Sequence, residues 1–385
     1  MSLEAHWGLG SRSRDGEGAR NQSPAARDLL LWSAAEYPDY SHHYLARSGS
    51  TLLHEALRQS RVTTVVLPAF ICPSVSQAAA SAGKRLVHVD VDPTTLMPAP
   101  DALEECLSHA EPERTAVLLD HSFGYPLPYL GQIQSWLPGV TVIEDAVRAL
   151  GARANGRTVG HLGDQVLLSL HKTTPGNDHG ALLLTQGLLS LREGPRAPVT
   201  PRQRLSVVPV VRWGYERLRR RSPDLSSAPE GQQCPPWAPI HGMPNDLSLR
   251  RFLHTQVRPV SARALRRQAH QELFEALAPL SELSLVRTAE GCENAGHFLS
   301  FTLEEGVSRL GLMASLHRQG FFLLRTWDLV PASFRSLEGT FPLGAGGSLH
   351  LSRHLVHVPM WQYLPAPRRQ RFVAALKRAL VSARR

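Results

Sequence analysis

The chain alternates short apolar runs with amphipathic stretches over most of its first half. Thr63–Leu67 (TTVVL), Leu86–Val91 (LVHVDV), Thr115–Leu119 (TAVLL), Val140–Ile143 (VTVI), Val166–Leu170 (VLLSL) and Ala181–Leu184 (ALLL) are four to six residues long. Runs of that length bounded by turn residues predict buried strands. Between them lie stretches with helical spacing. Leu52, Leu53, Ala56 and Leu57 form one stripe, a second helix closes at Gly83, a third spans about 99–110, and a fourth lies within GYPLPYLGQIQSWL. A brief helix is expected over Ala26–Trp32. Strands alternating with helices predict a mostly parallel sheet covered on both faces, an α/β fold.

The pattern changes twice. From about Gly194 to Pro244 proline, arginine and glutamine rise, and SPDLSSAPEGQQCPPWAP reads as an irregular excursion with one helix near Val207–Arg220. Beyond Asn245 the spacing is helical, and the last quarter reads as α+β. Strands are expected at His297–Thr302, Phe321–Leu324 and Ser348–Leu351, with a helix at Ser308–Arg318 and a final helix carrying Phe372, Leu376 and Leu380. The resulting division is a disordered tail over 1–25, a large domain over 26–255 with the irregular insertion at about 194–244, and a smaller C-terminal domain over 256–385.

Composition narrows the class. In 385 residues, 42% hydrophobic and 19% charged, the balance is that of a folded soluble protein. No apolar run is long enough for a membrane span, and MSLEAHWGLGSRSRDGEGARNQSP lacks the apolar core of a signal peptide, so a cytoplasmic location is expected. Cys72, Cys106, Cys234 and Cys292 form no close pair, which argues against a zinc site or a disulfide framework. Eighteen histidines show no metal-ligand spacing. The formal charge of +9 is concentrated in Arg217–Arg221 and the C-terminal arginines. Without interleaved aromatics these runs do not suggest nucleic acid. Frequent alanine and arginine point to a GC-rich bacterial genome.

The chemistry lies where the apolar runs stop. One delivers Glu144 and Asp145, and the next delivers Ser169, His171 and Lys172. Ligands in open α/β sheets sit outside the carboxyl ends of the strands. A buried lysine has a lowered pKa and becomes a nucleophile toward carbonyls. Ser48-Gly49-Ser50 opens an amphipathic helix and suits a phosphate, although a plain serine N-cap is the simpler account of that stretch taken alone. Lysine, acid and anion donors together are what pyridoxal phosphate requires. Trp327 and Asp328 border such a site from the small domain or belong to the core.

The motifs also resemble a known family, the DegT/DnrJ/StrS-type sugar aminotransferases, which are fold type I pyridoxal phosphate enzymes. SGSTLL is similar to the family's SGTxAL. LPAFICPSVSQAAASAGKRLVHVDVDPTTL resembles its strand–helix–strand segment, and DHSFGYP resembles VHLYGxP. VIEDAVRALGA, GRTVGHLGD and SLHKTTPGNDHG follow in the family's order. The resemblance spans roughly residues 44 to 385. It implies a large domain with a mostly parallel sheet flanked by helices, plus a smaller α+β domain. It also implies Lys172 as Schiff-base residue and proton shuttle, with Asp145 at the pyridinium nitrogen. Ser48, Gly49, Ser50 and Ser169 would lie at the phosphate, and His121 near the ring. Asn245, in HGMPNDLS, would reach the phosphate of a neighbouring subunit, which makes the protein a homodimer with shared active sites. The implied reaction moves an amino group from an amino acid, glutamate by analogy, to a keto group of a nucleotide-linked sugar. Four positions depart from the family's pattern: Cys72, or Phe70 beside it, where an aromatic covers the ring; Arg148 where glutamine or histidine is usual; SLHK in place of SFxxxK; and Asp246 after Asn245, with the arginine of the family's NYRMS motif absent. They keep open another pyridoxal phosphate reaction, such as dehydration or amination of a non-sugar carbonyl. A non-catalytic regulator that binds the cofactor also stays open.

Overall fold

In a computed structural model the described residues are 23–174, 177–192, 194–200, 203, 237–257, 260–327, 340–341, 346–360 and 365–383. The tail up to 22 and the expected helix at Val207–Arg220 lie outside them. Among the described residues, eight strands form one sheet. Their order is His42–Ala46, Ala181–Thr185, Gln165–Ser169, Thr141–Asp145, Thr115–Asp120, Thr64–Pro68, Arg85–Val89 and Thr340–Phe341. Ala181–Thr185 runs antiparallel to both of its neighbours, and the pairs from Gln165–Ser169 through Thr340–Phe341 are parallel. The six expected strands of the first half are all present, within a few residues. Their near-continuous apolar character is that of strands covered on both faces. The mixed α/β fold with its mostly parallel sheet is thus borne out.

Helices supply the cover. Gly49–Gln59 and Pro73–Ser81 bury Leu52, Leu53, Leu57, Val75 and Ala78 against Val65, Leu67 and Ile143 on one face. On the other face, Pro24–Glu36 and Asp246–Val257 place Leu29, Leu249 and Phe252 against Val166, Leu168 and Leu182. The smaller unit is a three-stranded antiparallel sheet, Leu283–Leu285, Phe298–Leu303 and Leu355–Pro359. Leu299, Phe301, Val356 and Val358 pack there against Leu273, Leu312, Phe372 and Leu376 from three helices.

Two expectations at the C-terminal end are corrected. Ser348–Leu351 is not a strand but part of the helix Gly346–His354. Its Leu-His-Leu alternation mimics a strand, yet its opening turn is held by Asp90. That carboxylate accepts from the N–H groups of Gly347 and Ser348, each at 2.8 Å, and so satisfies donors that a helix start leaves free. The strand follows immediately, at Leu355–Pro359. Phe321–Leu324 contributes only a single bridge, Leu324 to His357. A first strand at His42–Ala46 was not foreseen in the sequence.

Candidate active site

The parallel strands bring their carboxyl ends to one edge of the sheet. Asp120 and Asp145 are direct partners in register. Ser169, ending the next strand, pairs with Ala181, which pairs in turn with Ala46. Two residues past Ala46 stands Ser48, at the head of helix Gly49–Gln59. The acid, the serine, the lysine loop and the helix N-terminus are therefore neighbours because of strand order.

A small, partly open cavity of about 10 Å³ lies at this edge. Cys72, Asp120, His121, Asp145, Arg148, Lys172 and Trp327 line it, with Ile71 and Val147. Six of the residues singled out in the sequence thus converge: Cys72, His121, Asp145, Arg148, Lys172 and Trp327. Phe70 is buried beside them, its ring 5.0 Å from that of Trp327. Lys172 lies deep, keeping some exposure through the cavity. Burial, then the charge of Arg148, lowers its ammonium pKa, partly countered by Cys72, Asp145 and Asp120. Asp145 has its pKa raised by burial, against the pull of Lys172. Its Oδ1 accepts from the N–H of Val147 at 3.0 Å. A desolvated lysine beside a buried acid is an arrangement found at reactive sites.

Asp120 was not singled out, although an acid at the end of TAVLLD is the same signal as Asp145. Its Oδ2 accepts from the Ser122 hydroxyl at 2.5 Å, and its Oδ1 has no partner. Burial and the neighbouring Asp145 push its pKa up to about 7.

The remaining site expectations fall differently. His121 is fully engaged: its Nδ1 accepts from the N–H of Leu127 at 3.0 Å, so Nε2 donates to Glu144 at 2.9 Å. Ser169 accepts from the backbone N–H groups of His171 and Lys172, at 3.3 and 3.2 Å, and so shapes the turn that aims the lysine. Ser48 makes no side-chain cap to its helix. Its hydroxyl lies 3.0 Å from that of Ser50, so the plain N-cap reading is not what the chain adopts. Asn245 is the cap of helix Asp246–Val257: its Oδ1 accepts from Ser248 N–H, and its amide donates to Pro198 and Gln203. It does not line the cavity. Asp328 lies outside the described residues, whereas Trp327 forms a wall.

Arg148 is held by aromatic rings. Its guanidinium carbon is 4.5 Å from the Phe123 centroid, 5.5 Å from Phe298 and 5.8 Å from Trp327. Phe123 stacks in turn on His357 at 3.7 Å. His357 is fixed by Ser300 at 2.8 Å and by Thr326 at 2.7 Å.

Among the described residues, no group of three or more His, Cys, Asp or Glu could hold a metal ion, and no helix is long and apolar enough to cross a membrane. Cys72, Cys106 and Cys292 are free thiols.

This edge, with its lysine and acids, sits on the fold of type I pyridoxal phosphate transferases. The chain superposes on the sugar aminotransferase CalS13 from Micromonospora echinospora with a TM-score of 0.66 over 93% of this chain and 92% of that one, at 18% identity. More specifically, residues 33–177 match the DegT/DnrJ/EryC1/StrS aminotransferase family. Over that stretch, which builds most of the site, the resemblance read from the motifs is borne out. A pleiotropic regulatory protein of Geobacillus stearothermophilus is 32% identical over 145 residues, 36% of this chain and 38% of that protein. The 3-amino-5-hydroxybenzoate synthase of Amycolatopsis mediterranei is 30% identical over 154 residues, 38% of this chain and 39% of the synthase. The matched stretch spans about two fifths of the length of these curated relatives.

Proposed function

We propose that the protein is a pyridoxal phosphate-dependent aminotransferase. It takes an amino group from an amino acid, glutamate first, and delivers it to a keto group of a nucleotide-linked sugar. The observation that carries this reading is Lys172, desolvated and set beside Asp145 at adjacent strand ends.

The donor set fits the cofactor. Lys172 would supply the amine that holds it and, in its neutral form, would take the proton that leaves the donor's α-carbon. Asp145, one of two carboxylates at the cavity, is the counter-ion for a protonated ring nitrogen. Ser48, Gly49 and Ser50 offer hydroxyls and the positive end of an eleven-residue helix to the phosphate. A Cβ on Gly49 would stand 3.4 Å from Ala181 Cβ, so the backbone passes close to the strand that pairs with Ser169. Ser169 serves by fixing the lysine turn. The cofactor, when bound, acts as electron sink for the carbon that exchanges its nitrogen. A cavity of about 10 Å³ takes roughly one water. The ring therefore enters only as lining side chains such as Trp327 give way.

The reaction balances without an external oxidant: the donor leaves as its 2-oxo acid and the acceptor carbonyl becomes an amine. The sugar acceptor is favoured by the motif set. A second reading, amination of a non-sugar carbonyl, is favoured by Arg148 and by the relative named for a hydroxybenzoate product. We place the protein in the bacterial cytoplasm as a homodimer. The test loads the protein with cofactor and adds L-glutamate. One equivalent of 2-oxoglutarate per site should appear, and the amine should then pass to a nucleotide-linked keto sugar. No 2-oxoglutarate would overturn the aminotransferase reading; transfer only to a cyclic keto acid would select the second one.

A further inference from the structure

Arg148 is the group in this cavity with the least protein-internal explanation. It stays charged at any ordinary pH, although burial lowers its pKa. A desolvated cation without a close counter-ion costs several kcal/mol. Cys72, Asp120 and Asp145 attract it at a distance, but it makes no ion pair with a described residue, and its Nε has no hydrogen-bond partner. Lys172, on the same wall, repels it.

The rings around it are themselves held in costly conformations. Phe123 and Trp327 have φ of 55° and 53°, two of the four described non-glycine residues in left-handed backbone. Such a conformation costs on the order of 1–3 kcal/mol for an ordinary side chain. His357 then locks the Phe123 plate from behind and ties down Thr326, next to Trp327. Three aromatic faces hold the guanidinium as a plate. Its N–H donors point from the edges, and planar, bidentate pairing is how arginine takes a carboxylate. Low dielectric around the rings strengthens that pairing.

We infer that Arg148 is the carboxylate receptor of this site, taking the carboxylate on the donor carbon whose nitrogen exchanges next to Lys172. The inference rests on the aminotransferase reading for the identity of the donor, and it deepens that reading to α-amino acids as donor class. A phosphate on Arg148 is disfavoured, since the phosphate donors Ser48–Ser50 stand at the head of a different element and do not line the cavity.

The test has two arms. In the first, maleate, a dicarboxylate that cannot react, is titrated by calorimetry into the protein before any cofactor is added. Wild type should bind it, Arg148→Lys more weakly, and Arg148→Gln about 100-fold more weakly or not at all. Circular dichroism should show each variant folded, and the Lys variant keeps the test readable if Gln unfolds. In the second arm, cofactor-loaded Arg148→Gln should react with L-glutamate with KM raised about 100-fold. Equal maleate binding by wild type and Arg148→Gln, or no binding by wild type, overturns the inference. A chain that binds maleate through Arg148 yet never takes up cofactor sinks the aminotransferase reading alone.

Discussion

Glu144 and Asp145 are consecutive acids at the end of one strand, and the regions they serve differ in nearly every physical respect. Strand geometry sends their side chains to opposite faces. On one face Glu144 accepts from His121 Nε2 and from the N–H groups of Gly160, Leu162 and Gly163. Those donors hold its carboxyl below the ordinary carboxylate range despite burial. On the other face Asp145 accepts one backbone N–H, Asp120 leaves an oxygen unpaired, and Arg148 leaves a nitrogen unpaired. A satisfied network belongs to folding, whereas unsatisfied buried charges mark a place that awaits a ligand.

Breaking the two sides should give opposite results. Glu144→Ala strands an imidazole and three backbone donors, and should cost about 3–5 kcal/mol or prevent folding, read by urea denaturation. Asp145→Asn should change the melting temperature by no more than a few degrees, while lowering the rate of 2-oxoglutarate release about 100–1000-fold. If Asp145→Asn were the destabilised variant and Glu144→Ala the merely inactive one, the division would be reversed.

Asp120 sharpens the comparison in a smaller way. Its folded pKa, about 7, stands above the ordinary 3.8, so the folded chain binds this proton more tightly than the unfolded one. Its contribution is fully present below pH 3.8 and is lost as pH rises to about 7. Thermal melts should therefore show Asp120→Asn gaining on wild type across that window and running parallel to it above. A constant difference from pH 4 to 8 would contradict the assignment.

Much of this was legible in the sequence because buried parallel strands leave continuous apolar runs, and whatever polar residue ends a run stands at the sheet edge. That is why Asp145, Ser169 and Lys172 could be placed without coordinates, and Asp120 could have been. What pattern does not carry is contact between distant segments. Trp327 closing over Arg148 depends on the His357 and Thr326 bonds, which no local spacing announces. Helix Gly346–His354 was misread because its first turn is held by Asp90, 258 residues from Ser348. Ser169 was legible as a site residue but not in its role, since a hydroxyl that shapes a turn and one that faces an anion look alike in one dimension.

The central claim is that Lys172 holds pyridoxal phosphate at this edge. Adding the cofactor to purified wild type should produce the visible absorbance of a lysine-bound cofactor, with quenching of tryptophan emission as Trp327 moves. Folded Lys172→Ala should show neither a retained chromophore after dialysis nor transfer of nitrogen from glutamate. A wild type that stays colourless in excess cofactor, or a Lys172→Ala variant that retains the same absorbance, would contradict the account.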